Sequence, residues 1–303
     1  TDSFETFSAE GLVRYFAFTS ILEDSRGDIW MGTFHGGLYR YQKDKNKIKI
    51  YDARDGLADN WISTISEDSK GNVWVGTWGG GITKFSDGGY KTFDNSNGLA
   101  DQKIRRIVED IEGNILIATN DHGLAIFKGE QFVSYGTDDG LVDLQIGAIA
   151  QDKDGKFWFG TNDGISVLNF KAGKRGIRSA HFNQTNKGIG NQIMFLKVDQ
   201  NDNIWIGSAN NGVTMYNYKT GRFTFNPVIN RYIANNVVTA LDIDSHNLLY
   251  AGTQSGLLYY DINQDKSQFL TQIHGLNSSD ISVVYADREG KVWVGLNNGK
   301  GLN

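Results

Sequence analysis

Three sets of residues in this chain could do chemistry. Seven aspartates stand at regular intervals: Asp24, Asp68, Asp110, Asp152, Asp199, Asp244 and Asp287. Carboxylates so placed could bind a metal ion or act as acid and base. Each, however, opens a turn three residues before a glycine, Asp202 or Asn247. There an aspartate side chain accepts the N–H groups of the turn, and seven identical roles point to architecture. The five histidines are His35, His122, His181, His246 and His274, and none shows His-x-x-x-His or Glu-x-x-His spacing. No catalytic metal is therefore expected. There is no Gly-x-Ser-x-Gly, no carboxylate pair suited to general acid and base work, and no cysteine for a thiol nucleophile or disulfide. The stretch "GNVWVGTWGGG", residues 71–81, is glycine-rich like a phosphate loop. It lacks Gly-Lys-Ser/Thr and leads into a strand, so that reading falls. No cofactor is expected.

The same letters recur. "GDIWMGT" ends at Thr33, "GNVWVGT" at Thr77, "GNILIAT" at Thr119, "GKFWFGT" at Thr161, "DNIWIGS" at Ser208, "NLLYAGT" at Thr253 and "GKVWVGL" at Leu296. The copies lie 42 to 47 residues apart, and an aspartate stands eight residues before the Gly or Ala of each. Self-similarity at this period means a propeller, solenoid or array. A chain of 303 residues would ordinarily suggest about two domains, but seven such units use all of it. Residues 1–303 therefore read as one domain, with repeats centred on Trp30, Trp74, Leu116, Trp158, Trp205, Tyr250 and Trp293.

Residues 61–93 show what one repeat must be. "WISTISED", "VWVGT", "ITKFS" and "YKTF" are short β-prone runs separated by Gly/Asn turns. Four such strands make a propeller blade. The second run is almost wholly apolar, as expected where neighbouring blades cover both faces. The expected fold is all-β: a seven-bladed β-propeller of four-stranded antiparallel blades with almost no helix. The chain opens with "SFETFSAEGL", which matches a fourth strand and its loop, as in "YKTFDNSNGL" at Tyr90–Leu99. The seventh repeat stops short of most of its third strand, a cropped or frayed end. Residues 3–8 are thus expected to complete the last blade and close the ring.

Composition excludes some functions. The net charge is −5 with no basic block, so nucleic acid is not an expected partner. No apolar run approaches a membrane span, so direct membrane contact is not expected, and no signal peptide is visible at Thr1. The chain reads as cytosolic or as a trimmed piece of an exported protein.

The assembled repeat, with "ISEDSKGNVWVGTWGGGITKF" at Ile65–Phe85 as its best copy and Ile21–Tyr41 fitting equally well, resembles the two-component regulator propeller repeat. It is neither the sialidase Asp box nor a WD40 repeat. The resemblance covers essentially the whole chain and weakens around Trp205 and Tyr250, where Asp202 and Asn247 replace the turn glycine. It implies the periplasmic sensor of a hybrid two-component histidine kinase of the Bacteroidetes type, responding to oligosaccharides. It also implies partners outside this chain: a second propeller and further receptor domains, and possible homodimerisation. It carries no catalytic residues. Two rivals stand beside this non-enzymatic sensor. One is a lyase, like propeller polysaccharide lyases or streptogramin lyase, with His35 or His122 as base at the ring mouth. The other is a protein-interaction scaffold.

Candidate ligand contacts follow from departures from the repeat. Trp61 and Trp78 are not consumed by it. Trp61 enters the first strand of its blade and Trp78 occupies the turn between its second and third, and these lie on one face of a propeller. The equivalent turn holds Phe34 and His35 one blade earlier and Asp121 and His122 one blade later. The later blades place Asn162/Asp163, Asn210/Asn211 and Gln254/Ser255 there. One aromatic sector with polar neighbours suits a sugar ring, and equally a partner domain; Trp61 could instead pack beneath its loop. Arg105 and Arg106 fall in an innermost strand where other repeats have small or apolar residues. They are expected at the central channel, as an anchor for an acidic sugar or in a salt bridge.

Overall fold

The computed structural model describes residues 4, 6–7, 17–170, 177–183, 189–233, 237–297 and 301–303. Six four-stranded antiparallel sheets follow one another along the chain. Their innermost strands are Phe18–Glu23, Ile62–Glu67, Ile104–Glu109, Ile146–Gln151, Ile193–Val198 and Val238–Ile243. Each of these is the strand with which its blade meets its neighbours around the channel. Among the described residues the only α-helix is Pro227–Ile233, and no helix is long and apolar enough to cross a membrane.

The expectation of seven complete blades is corrected here: the propeller has six four-stranded blades. The seventh repeat forms only a two-stranded sheet, Ile281–Ala286 with Val292–Leu296, set between the sixth blade and the first. Nor does the N-terminal strand close the ring. Of residues 3–8, residues 3, 5 and 8 lie outside the described residues, and 4, 6 and 7 form no strand. The Phe7 N–H makes one backbone bond to Leu302 (2.9 Å), and the ring of Phe7 packs edge-on against Tyr41 and Trp293. The edge of Val292–Leu296 is met instead by residues 301–303, through an isolated Gly295–Leu302 bridge and a reciprocal pair of Val294–Asn303 bonds.

The repeated letters have physical assignments. One carboxylate oxygen of Asp68 accepts the N–H groups of Lys70 and Asn72, closing the turn, while the other accepts the Trp74 indole N–H at 2.8 Å. Asp24, Asp152, Asp199 and Asp287 do the same for Trp30, Trp158, Trp205 and Trp293. Asp244 meets the Tyr250 hydroxyl at 3.3 Å, and Asp110, facing Leu116, takes the Asn114 side chain instead. The glycine two residues after the tryptophan is there for close approach. A Cβ on Gly76 would sit 2.6 Å from Ile104 of the next innermost strand, and one on Gly32 2.5 Å from Ile62. The Thr77 hydroxyl then donates to Gly81 O at 2.9 Å and accepts the Gly80 N–H, fixing the next turn.

With each tryptophan so held, the core forms between blades. Trp30, Leu38, Tyr51 and Leu57 pack on Ile62, Ile65, Val73 and Val75 of the following blade, and the pattern repeats around the ring. Polar clasps join blades at the opposite end. The backbone N–H and hydroxyl of Ser25 donate to Glu67, those of Ser69 to Glu109, and the Ile111 N–H to Gln151. Closure between the two-stranded sheet and the first blade uses the same device. Glu23 accepts the Arg288 N–H at 2.9 Å and the Lys43 ammonium at 2.9 Å, and Lys43 also reaches Glu289. Burial pushes the Glu23 carboxyl up, but the Arg288 N–H and Lys43 outweigh it and leave it below its usual range. Asp68 is likewise lowered, burial being outweighed by the Trp74 and Asn72 bonds.

Two stability predictions follow. Asp68→Ala orphans a buried indole N–H and two turn N–H groups, and should cost about 1–3 kcal/mol in equilibrium denaturant unfolding. In a Trp74→Phe background the cost should shrink, since one orphan is then absent. Glu23→Gln tests closure. A carboxyl whose folded pKa is depressed contributes stability above its unfolded pKa, and that contribution is lost as pH falls through the folded value. The variant should therefore be less stable at neutral pH and lose less stability than wild type between about pH 5 and pH 2. Parallel acid-titration curves for the two proteins would refute this role.

Candidate functional site

Every innermost strand carries a β-bulge at the same place. The extra residues are Thr19, Ser63, Arg105, Gly147, Met194, Thr239 and Ser282. A bulge bends the strand and re-aims a side chain, so the seven together form a collar around the channel mouth. Some collar hydroxyls staple neighbours: Thr19 donates to Ile62 O at 2.6 Å and Thr239 to Ile281 O at 2.7 Å. The Ser63 and Ser282 hydroxyls are buried with no partner among the described residues.

The turns between second and third strands rise beside this collar. The Trp78 N–H donates to Trp61 O and the Phe34 N–H to Ala17 O, each tying a turn to the entry of an innermost strand. The aromatic side chains meet in a row. Phe34 lies edge-on to Trp61 with centroids 4.5 Å apart, Trp61 lies 5.5 Å from Trp78, and the Arg105 guanidinium stacks 5.3 Å from the Trp78 ring. His35, in left-handed backbone at φ 66°, packs against both Phe34 and Trp61. Phe34 and His35 are exposed, whereas Trp61 and Trp78 are half-buried. Trp61 does not simply lie beneath its loop: its ring touches Phe34, His35 and Trp78.

Asp121 and His122 are exposed on the next turn. Buried Asp101 holds that turn: it accepts the Lys103 and Asp121 N–H groups and lies 3.4 Å from the His122 ring. Burial raises the Asp101 carboxyl, but those bonds outweigh it and lower it. The "GLAD" and "GLVD" linkers, residues 56–59, 98–101 and 140–143, announce this role. Asp59 and Asp143 likewise accept the N–H groups of Trp61 and Gln145.

Arg105 and Arg106 leave the collar in different directions. Arg105 donates from Nε to Asn120 Oδ1 at 2.8 Å over Trp78. Burial lowers its pKa, opposed by Asp121 and Asp143 at longer range. Arg106 reaches past the fourth blade to the fifth. There it lies 5.2 Å from the Phe195 ring, with Nη2 3.5 Å from Met194 O and Nη1 donating to Arg105 O. The salt bridge considered for this pair is not formed: among the described residues neither arginine makes an ion pair. Burial, with Arg105 alongside, pushes Arg106 down to about 10, so it stays charged at neutral pH. A cavity of about 780 Å³ opens beside Phe195 and Met194 and extends past Val238, Thr239 and Ser282 to Thr19 and Phe34. Its volume is that of a small-ligand pocket. The sequence gives no sign of Phe195 or Met194, because repeat alignment says nothing about neighbours across a ring. Among the described residues no group of His, Asp and Glu is arranged to hold a metal ion.

A ring of four-stranded blades built on a repeated Asp-to-Trp clasp, with one aromatic sector at its mouth, defines a repeat propeller. Residues 15–35, 56–79, 140–163 and 275–298 match the family model described as two component regulator propeller. These four stretches are what the chain shares with that family. Among solved structures, the extracellular domain of a hybrid two component system from B. thetaiotaomicron superposes with a TM-score of 0.83 at 21% identity, over 98% of this chain and 40% of that one. A second such domain from the same organism gives 0.74 at 21%, over 95% and 39%. Virginiamycin B lyase from Staphylococcus aureus gives 0.73 at 15% identity, over 97% and 96%. These likenesses show the fold, and the chain spans about two fifths of the two receptor domains. No curated protein matches it.

Trp78 depends on its glycines. A Cβ on Gly80 would sit 1.9 Å from Ala58 O, whereas one on Gly88 meets nothing within 4 Å. Gly80→Ala should cost about 1–3 kcal/mol and shift the tryptophan fluorescence as Trp78 leaves the row. Gly88→Ala should stay within about 0.5 kcal/mol of wild type. Equal effects of the two would show that the turn is not held as described.

Proposed function

We propose that this chain is a non-enzymatic sensor propeller, the extracytoplasmic and periplasmic part of a hybrid two component receptor, and that its channel mouth takes an oligosaccharide. The observation that carries this reading is the row Phe34–Trp61–Trp78 ending on Arg105, in a ring whose other equivalent turns are polar. Aromatic faces take the C–H faces of a pyranose, and adjacent Asp121, His122 and Asn120 suit its hydroxyl rim. Signalling needs only that ligand favour one arrangement of the receptor over another. A second propeller, downstream domains or a second copy of the chain would supply that arrangement.

A lyase reading has its own support in the His122–Asp101 pair, 3.4 Å apart, and in the likeness to virginiamycin B lyase. An Asp-oriented imidazole is a common general base. Chain cleavage abolished by His122→Ala would favour it.

Trp78→Ala should weaken oligosaccharide binding about tenfold, the loss of one well-placed contact, in titrations followed by tryptophan fluorescence. Unchanged sugar affinity together with lost association with the remaining receptor domains would replace the ligand reading with an interface.

A further inference from the structure

Among the described residues, half-buried cations elsewhere find carboxylates: Arg40 pairs with Asp28 and Lys43 with Glu23. Arg105 and Arg106 are different. They are adjacent in sequence, both line the channel mouth, and among the described residues neither has an ion-pair partner. Arg105 has Asp121 and Asp143 only at longer range, and the charged neighbour that acts on Arg106 is Arg105, of like sign. Of Arg106's five N–H donors, two are engaged among the described residues, by carbonyl oxygens at 2.9 and 3.5 Å. An uncompensated, partly desolvated cation is costly, and two side by side more so. At the same level the fourth blade carries Gly147, where a Cβ would meet Ile193 O at 2.4 Å, so no side chain can stand there. The hydroxyls of Ser63 and Ser282, without a partner among the described residues, stand in the same collar.

We infer that Arg105 and Arg106 together bind an anionic substituent of the sugar ligand, a uronate carboxylate or a sulfate ester. The inference rests on the oligosaccharide reading above and narrows it to acidic glycans. Guanidinium forks match the paired oxygens of either group. Trp78 lies beneath Arg105, so a sugar ring stacked on the aromatic row places an acidic substituent at the arginines. The approximately 780 Å³ cavity beyond Phe195 and Met194 has room for a neighbouring residue of the chain.

The probes are sodium glucuronate and glucose 6-sulfate, with glucose as neutral control and sodium chloride at matched ionic strength, read by thermal unfolding. The anionic probes should raise the midpoint saturably and glucose should not, because a ligand that binds only the folded state stabilises it. The larger shift of the two identifies carboxylate or sulfate. Arg106→Met should weaken that binding about tenfold or more while leaving the unliganded protein at least as stable, since it removes an unpaired charge. Arg106→Lys should fall between. Three results would overturn the inference: no midpoint shift in wild type with either anion, equal shifts in wild type and Arg106→Met, or a markedly less stable Arg106→Met, which would make the arginine a structural bracket. The oligosaccharide reading fails separately, if Trp78→Ala leaves every sugar titration unchanged.

Discussion

The carboxylate of the repeat aspartate is the constraint on which this ring depends. It is buried, and it is satisfied from two sides: by the N–H groups of its own turn and by the indole N–H six residues later. A buried carboxylate without such partners would be costly, so the tight turn and the tryptophan position come as a unit. The tryptophan is thereby fixed between blades, where it packs on the next sheet. The next sheet can approach only because a glycine follows two residues later. One polar cluster thus sets the local turn, the inter-blade core and the stacking distance. Where the indole is absent, at Leu116, Asn114 supplies the second partner, so the carboxylate is never left half-satisfied.

That unit was legible in the sequence because it repeats, and repetition reveals whatever each copy needs for itself. It is silent about what only the closed ring needs. Seven copies of the two-strand unit predict seven blades, yet the seventh copy builds two strands. Its exposed neighbour positions are met by Leu302, Asn303 and the ring of Phe7 rather than by a further paired strand. The end-to-end link adds to an apolar contact, Trp293 and Leu302 against Phe18, Ile21 and Met31, a polar clasp through Glu23, Arg288 and Lys43. Its signal was present as the Glu or Gln before the aspartate at Glu23, Glu67, Glu109 and Gln151, but it reads as surface charge until the neighbouring turn is seen to donate to it.

The candidate site divides the same way. Phe34, Trp61 and Trp78 could be placed together because turn positions align and adjacent blades are adjacent in sequence. The divergence of Arg105 and Arg106 could not, because it depends on the bulge between Ile104 and Arg106. The approach of Arg106 to Phe195 spans an intervening blade and 89 positions of chain, which no repeat pattern encodes.

In a ring of near-identical units, symmetry separates roles. A residue present in every copy serves the ring, since each blade has the same packing problem; the aspartates, glycines and tryptophans are of this kind. A residue present in one or two copies lies outside that shared demand or compensates a local change in it, as Asn114 does beside Leu116. The collar makes this concrete. Its seven bulge positions share one backbone geometry, so the backbone imposes no choice among them. Five are Thr, Ser or Gly, one is Met194 and one is Arg105. Arg105 is a long cation at a position where hydroxyls and a glycine serve the same backbone geometry elsewhere. It stands beside a second arginine and over the tryptophan that is itself outside the repeat. Three departures from symmetry, in two adjacent blades and on one face, share one explanation only if whatever they contact approaches the propeller off its axis, over the second and third blades.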